Sequence, residues 1–387
     1  MSSVLGTYAR KTISFTSGKG SYLFAENGDK YLDLVSGIST NILGHCHEVL
    51  VKTIQEQSKK LWHVSNSFII PEQEMLAQRL CNYTFADFVF FSNSGAEAVE
   101  TSIKVARKYF HKIGKPEKNR IITFQNAFHG RTLATMFAAN NPKHSEGFGP
   151  KVEGFDQVPF ANHEAIKKAI NKNTAAILLE TIQGEGGIKI VPDFCLKGLR
   201  ELCDENNILL ILDEVQSAYR TGNFFAFEKS GIAPDIAAIA KGIGGGFPLG
   251  ACLVTKKVSV GMTPGTHGST FGGNPLAMAV GNAVLDTILE KGFFEKVKQK
   301  GQYFDEGLKK IKEKYPKVIG EIRGIGLIKG LKMLVNNDEF IKRLMNHKML
   351  TIRASENVIR LFPSLIVSND ELDEATDKIK KVCKEMS

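Results

Sequence analysis

A chain of 387 residues, 43% hydrophobic and 24% charged, is long enough to bury a large core, as two domains or one with an appendage. No uninterrupted apolar run reaches the roughly 20 residues that a membrane-spanning helix needs, and residues 1–15 carry no apolar secretory core, so no membrane is expected and the cytoplasm is. The formal net charge of +9 is spread over lysines interleaved with acids, which argues against nucleic acid and for a solvated surface attractive to anionic metabolites.

In chain order, residues 22–24 and 31–34 flank Asn27-Gly28, a strong hairpin signal. Gly44-His45-Cys46-His47 superficially resembles a metal site, but no second cluster stands at zinc spacing, and a loop into a helix over 48–60 is the better reading. The six cysteines are scattered, so reduced thiols are expected in place of a disulfide framework.

Strands and helices then alternate. Residues 88–91 read as a strand, followed by Ser92-Asn93-Ser94-Gly95-Ala96-Glu97 and a helix with an apolar stripe at Ala96, Val99, Ile103, Ala106 and Phe110. A small-residue turn into a helix start makes either an ordinary cap or a phosphate cradle built on the Gly95 and Ala96 amides. Further strands are expected over 120–124, 175–180 and 208–213, with a helix over 194–206 among those separating them. Continuous apolar runs of this kind belong to a largely parallel sheet covered on both faces, which makes the fold class α/β.

Asp213 closes one such run, where open α/β sheets bind ligands. Its carboxylate suits a helix cap, a metal ligand, or a partner for a protonated heterocyclic nitrogen. Residues 235–240 form a short apolar strand that delivers Lys241 into the glycine-rich loop Gly242-Ile243-Gly244-Gly245-Gly246. A lysine there is either a solvated charge or a partly desolvated amine, and the uncharged amine is the form that attacks an aldehyde. Beyond Pro275, amphipathic helices over 277–289 and 293–314, short strands near 326–331 and 358–361, and a final helix from Asp370 are expected.

Seven pieces in order resemble the class III, fold-type I pyridoxal-phosphate aminotransferases, most closely the acetylornithine branch. They are Thr7-Tyr8-Ala9-Arg10, Asn93-Ser94-Gly95-Ala96-Glu97-Ala98, Phe128-His129-Gly130-Arg131-Thr132, Gln183-Gly184-Glu185-Gly186-Gly187, Asp213-Glu214-Val215-Gln216, Ala240-Lys241-Gly242, and His267-Gly268-Ser269-Thr270-Phe271-Gly272-Gly273-Asn274-Pro275. The resemblance implies a mostly parallel seven-stranded sheet in a large domain over 51–275. A small α+β domain would be built from 276–387, with residues 1–50 contributing to it.

It also implies a pyridoxal 5'-phosphate site. Lys241 would hold the cofactor as a Schiff base, Asp213 would pair with its ring nitrogen, Phe128 and Val215 would cover the ring faces, and Gln216 would lie near the phenolic oxygen. Gly95 and Ala96 would take the phosphate, joined by Thr270 from the partner of a homodimer with shared active sites. Arg131 and Arg360 would clamp carboxylates, with Glu185 neutralising Arg360 while the amino donor is bound and Ser269 helping to position that donor. The implied reaction passes the terminal amine of N2-acetylornithine to 2-oxoglutarate. Ornithine, succinylornithine and 4-aminobutyrate transamination are the nearest alternatives, and an aminomutase or decarboxylase is a more distant one. Three departures from the family pattern stand out: Glu48 and Thr181 replace usual prolines, and the turn after Gln216 is one residue shorter.

Overall fold

A computed structural model describes residues 3–387, so Met1 and Ser2 of the expected N-terminal segment lie outside the described residues. Seven strands form the central sheet: β1 (Phe88–Ser92), β2 (Arg120–Phe124), β3 (Phe155–Val158), β4 (Thr174–Glu180), β5 (Leu209–Asp213), β6 (Ile236–Ile239) and β7 (Gly250–Val254). Their spatial order is β1-β7-β6-β5-β4-β2-β3. Only β7 runs antiparallel to its neighbours, and the remaining pairs are parallel. Strands β4 to β7 are buried along their whole length, which is why they read as unbroken apolar runs.

Side chains alternate between two cores. Leu209 and Ile211 of β5 join Ile236, Ala238 and Cys252 against Val99, Ile103 and Ala106 of the helix Gly95–Lys112. Leu210 and Leu212 face the other way, onto Leu196 and Leu199 of the helix Asp193–Glu205. That helix runs one residue ahead of the span expected from sequence. Strands β3 and β7 were not anticipated, and the helix from Glu48 stops at Gln57, short of Lys60.

Away from this sheet, strands Phe15–Lys19, Tyr22–Ala25 and Lys30–Asp33 form an antiparallel unit. The last of them pairs in parallel with Met349–Leu350 near the other end of the chain. A second antiparallel sheet comprises Ile319–Ile325, Ile328–Met333, Val358–Leu361 and Ile352–Ala354. Residues of the helices Phe293–Lys314 and Asn369–Glu385 pack into the same core as this sheet, the second helix starting on a reciprocal cap between Ser368 and Glu371. The helix Pro275–Ile288 begins at an Asn274 cap, two residues before the expected start, and lies against the helices Glu48–Gln57 and Pro71–Tyr83.

Register brings three chain segments to one edge. Asp213 stands opposite Ala238 on one side and Glu180 on the other, so β4, β5 and β6 end side by side. The shortened turn just beyond β5 ties that edge to the rest of the chain. In it Tyr219 is buried at φ +71°, a backbone conformation that non-glycine residues rarely take. The fully buried Arg220 donates to Ser39 Oγ, to Leu327 O at 3.1 Å and to Pro363 O at 2.8 Å. It thereby joins the N-terminal segment, the central sheet and the C-terminal strands. Burial pulls its pKa down to about 9.

Candidate active site

Lys241 follows β6 after one residue, Ala240, at the start of the 3₁₀ turn Lys241–Gly244. Its φ is +50°, and a non-glycine residue held there is strained, a condition that clusters at functional sites. The residue remains partly accessible, while its amine lies among protein atoms and makes no hydrogen bond among the described residues. Burial lowers the amine's pKa to about 8; Asp213 pulls it the other way, and Arg360 adds to the lowering. At pH 7 roughly one such amine in ten is uncharged, against roughly one in a few thousand for an ordinary lysine. If Lys241 is the residue that captures an aldehyde, binding of pyridoxal phosphate to cofactor-free protein should accelerate about tenfold between pH 7 and pH 9 and level off above. Stopped-flow absorbance measures this, and a rate still climbing steeply past pH 10 contradicts it.

Asp213 ends β5 almost fully buried. Its Oδ1 accepts from the Val215 amide at 3.1 Å, and Oδ2 meets His129 Nδ1 at 2.8 Å. Burial works against a charged His129, but the Asp213 contact outweighs it and raises the imidazole pKa. The opposite ring atom, Nε2, is buried without a partner among the described residues. Glu180, the neighbour in register, accepts from the Phe128 amide at 2.9 Å and the Gly184 amide at 3.2 Å, and burial raises it to about 7. One carboxylate therefore fixes two loops that border the site. Glu214 is likewise buried and raised to about 7, and Thr181, at one of the usual proline positions, donates to it at 2.5 Å.

The turn that could cradle an anion opens a helix, as read from sequence. Ser94 caps the helix Gly95–Lys112 by accepting from Glu97 N, and the Gly95 and Ala96 amides have no partner among the described residues. A Cβ on Gly95 would lie 2.6 Å from Val215 Cγ1, so the absence of a side chain lets the helix start close on the Asp213–Gln216 loop. Phe128 and Val215 are each partly buried. Gln216 Oε1 is buried with no partner, and it fills the place that a Cβ on Gly184 would take.

Arg360 is buried and pairs with Glu185 at 2.7 Å, while its Nη2 donates to Arg353 O at 2.9 Å and its Nε is unpartnered. Glu185 also lines a cavity of about 570 Å³ with Phe128, His144 and Arg353. Arg131 is exposed, its guanidinium 5.6 Å from the centre of the Phe128 ring. Ser269 and Thr270 make no hydrogen bond to Lys241, Asp213, Glu185 or Arg360, and Ser269 instead meets Asn93, just before the Gly95–Ala96 turn. Ser269 Oγ accepts from Gly272 N at 3.0 Å and Asn93 Nδ2 at 3.3 Å, Thr270 is exposed, and the cavity of about 600 Å³ that Ser269 lines is bordered by neither Lys241 nor Asp213.

Three buried groups had no role assigned from sequence, His129, Glu180 and Glu214. The signal for His129 was its place beside Phe128; that for Glu180 was an acid closing a buried strand, as Asp213 does.

A strained, deprotonation-prone lysine, a buried acid at the next strand end and an open amide cradle define a site for a phosphate-bearing aldehyde with a basic ring, and the residues present fit pyridoxal phosphate. The comparisons with known proteins agree: the aminotransferase class-III model matches residues 7–383, and the chain belongs to that pyridoxal-phosphate-dependent family. Acetylornithine aminotransferase from Agrobacterium fabrum is 55% identical over 97% of this chain and 94% of its own length. Ornithine aminotransferase from Toxoplasma gondii superposes with a TM-score of 0.95 at 30% identity, covering 99% of this chain and 93% of that one. N-acetylornithine aminotransferase from Stenotrophomonas maltophilia gives 0.86 at 32% identity, over 98% and 97%.

Proposed function

We propose that the protein transfers the terminal amino group of N2-acetylornithine to 2-oxoglutarate, yielding N-acetylglutamate 5-semialdehyde and glutamate, a step of arginine biosynthesis in the cytoplasm. The observation that carries this reading is the Arg360–Glu185 pair at 2.7 Å, a buried guanidinium held by a partly exposed acid on the cavity wall. Such a pair can switch between two states. Closed, it presents no free cation to a donor whose reacting carbon bears no carboxylate; opened, it offers a fork that suits bidentate capture of the 2-oxoglutarate α-carboxylate. Relatives more than half identical carry the acetylornithine name, which supports the donor.

When bound, pyridoxal phosphate supplies an aldehyde for amine capture and a protonated ring that draws off the electron pair released at the reacting carbon. Lys241 would hold it covalently, with Asp213 at the ring nitrogen, Phe128 and Val215 on the faces, Gln216 near the phenolic oxygen, and Gly95 and Ala96 at the phosphate. Once freed, the Lys241 amine would take the proton from the donor's reacting carbon and give it up to the cofactor's former aldehyde carbon, acting first as base and then as acid. Arg131 holds the donor's distal carboxylate throughout. In the second half-reaction Glu185 releases Arg360, and the same proton transfer runs in reverse.

We assign Ser269 and Thr270 to the active site of a second copy. The exposure of Thr270 and the separate cavity that Ser269 lines support this, as do exposed apolar side chains at Trp62, Phe68, Ile69 and Phe271. Residues 51–275 would then be the large domain, with 276–387 and the N-terminal 50 residues as the small one.

Initial rates with a donor panel and 2-oxoglutarate test the reading. N2-acetylornithine should give the highest kcat/KM against ornithine, N2-succinylornithine and 4-aminobutyrate, and turnover without 2-oxoglutarate would point to an aminomutase or decarboxylase. Glu185→Ala should shift preference toward donors with a carboxylate beside the reacting amine, by about tenfold in relative kcat/KM, the worth of one charge-assisted contact. An unchanged donor preference would refute the switch.

A further inference from the structure

The cavity that opens off Phe128 and Glu185 has a wall that the chemistry described so far does not use, the segment from Asn141 to His144. The short helix Pro142–Ser145 is held by Asn141, whose side chain accepts from Lys143 N at 3.1 Å and whose carbonyl accepts from His144 N at 2.8 Å. This fixes the backbone and leaves the His144 imidazole free of hydrogen bonds among the described residues. The ring stands perpendicular to Phe128, centroids 6.0 Å apart, so Phe128 is bordered by Arg131 and by His144 at once.

We propose that His144 is a specificity-determining residue that hydrogen-bonds the acylamino group of the donor, so that the site takes an N2-acylated diamino acid in preference to one with a free α-ammonium. The proposal rests on the assignment of an acylated donor and of Arg131 as its carboxylate anchor. The acylamino nitrogen is bonded to the same carbon as that carboxylate, so a carboxylate at Arg131 brings the amide to the rim of the Phe128 ring. A neutral imidazole carries one donor and one acceptor, matching the C=O and N–H of an amide. Burial, then Arg131 and Lys143, hold His144 below the usual histidine range, with Glu185 acting against them, and so favour that neutral form. A free α-ammonium would meet the cations of Arg131, beside Phe128, and of Lys143 on the cavity wall, while Glu185, the acid facing His144 across this cavity, is already paired with Arg360 at 2.7 Å. Glu356, which also lines the cavity, is already paired with Lys189 at 2.5 Å and Arg323 at 2.8 Å.

Steady-state kinetics of the holoenzyme with N2-acetylornithine and with ornithine, for wild type, His144→Ala and His144→Gln, test the proposal. His144→Ala should raise KM for N2-acetylornithine about tenfold and kcat should fall less than twofold, while KM for ornithine moves less than twofold. His144→Gln, which keeps a donor and an acceptor, should recover most of the loss. Equal effects on both donors, or none on either, would overturn the proposal alone. A wild-type enzyme that turns over ornithine and ignores N2-acetylornithine would overturn the donor assignment and this inference with it.

Discussion

Lys241→Ala is expected to lower kcat by about four orders of magnitude, the upper range for losing a positioned proton-transfer group, and to remove the visible absorbance that a lysine-bound aldehyde gives. No other amine can substitute from the same place. Lys241 is carried to the site by β6 and held at φ +50°, a placement that a free amine from solution does not reproduce. Alanine removes the amine and leaves the apolar strand intact, so the fold should survive. Unchanged circular dichroism together with lost turnover is the predicted pair of results. A variant retaining more than a hundredth of wild-type kcat would show that another residue moves the proton.

Asp213→Asn should cost about 10²- to 10³-fold in kcat, as removal of a preorganised electrostatic partner does, with little change in KM for 2-oxoglutarate. Asparagine keeps the size of the side chain and an oxygen able to accept from the Val215 amide, yet it carries no charge. His129 Nδ1 then faces an amide in place of a carboxylate, and the contact that raises the imidazole pKa disappears. A ring nitrogen without an anionic partner loses its proton more readily, and the electron pair at the reacting carbon has nowhere favourable to go. Steady-state rates decide the matter; activity within threefold of wild type would mean that the Asp213 charge plays no part.

The strands that carry these two residues were legible because burial on both faces leaves an unmistakable apolar run, ending each time in one polar group. Strand β7 has the same character, Gly-Ala-Cys-Leu-Val, but it follows a glycine- and proline-rich loop with no crossover helix, so nothing local marked it as part of the sheet. Strand β3 is a four-residue edge with Asp156 and Gln157 at its centre, too short and too polar for its period to show. The helix Phe293–Lys314 matched its expected bounds, since a regular apolar stripe over 22 residues leaves no doubt about its period.

The site divides along similar lines. Lys241, Asp213 and the Gly95–Ala96 turn carry their chemistry in local sequence, and the structure brings them to one edge. Glu180 was invisible as a partner because strand register, which a single segment does not encode, sets it beside Asp213, and His129 because a loop held by Glu180 through the Phe128 amide brings it there. Arg220 is the extreme case, bridging residues 39, 327 and 363 from a turn whose shortening was legible and whose contacts were not.

Borohydride reduction of the holoenzyme followed by peptide mass mapping tests the central claim most directly. The account predicts a stable pyridoxyl-phosphate adduct on Lys241 and on no other lysine. An unlabelled Lys241, or an adduct carried by a different lysine, would contradict it.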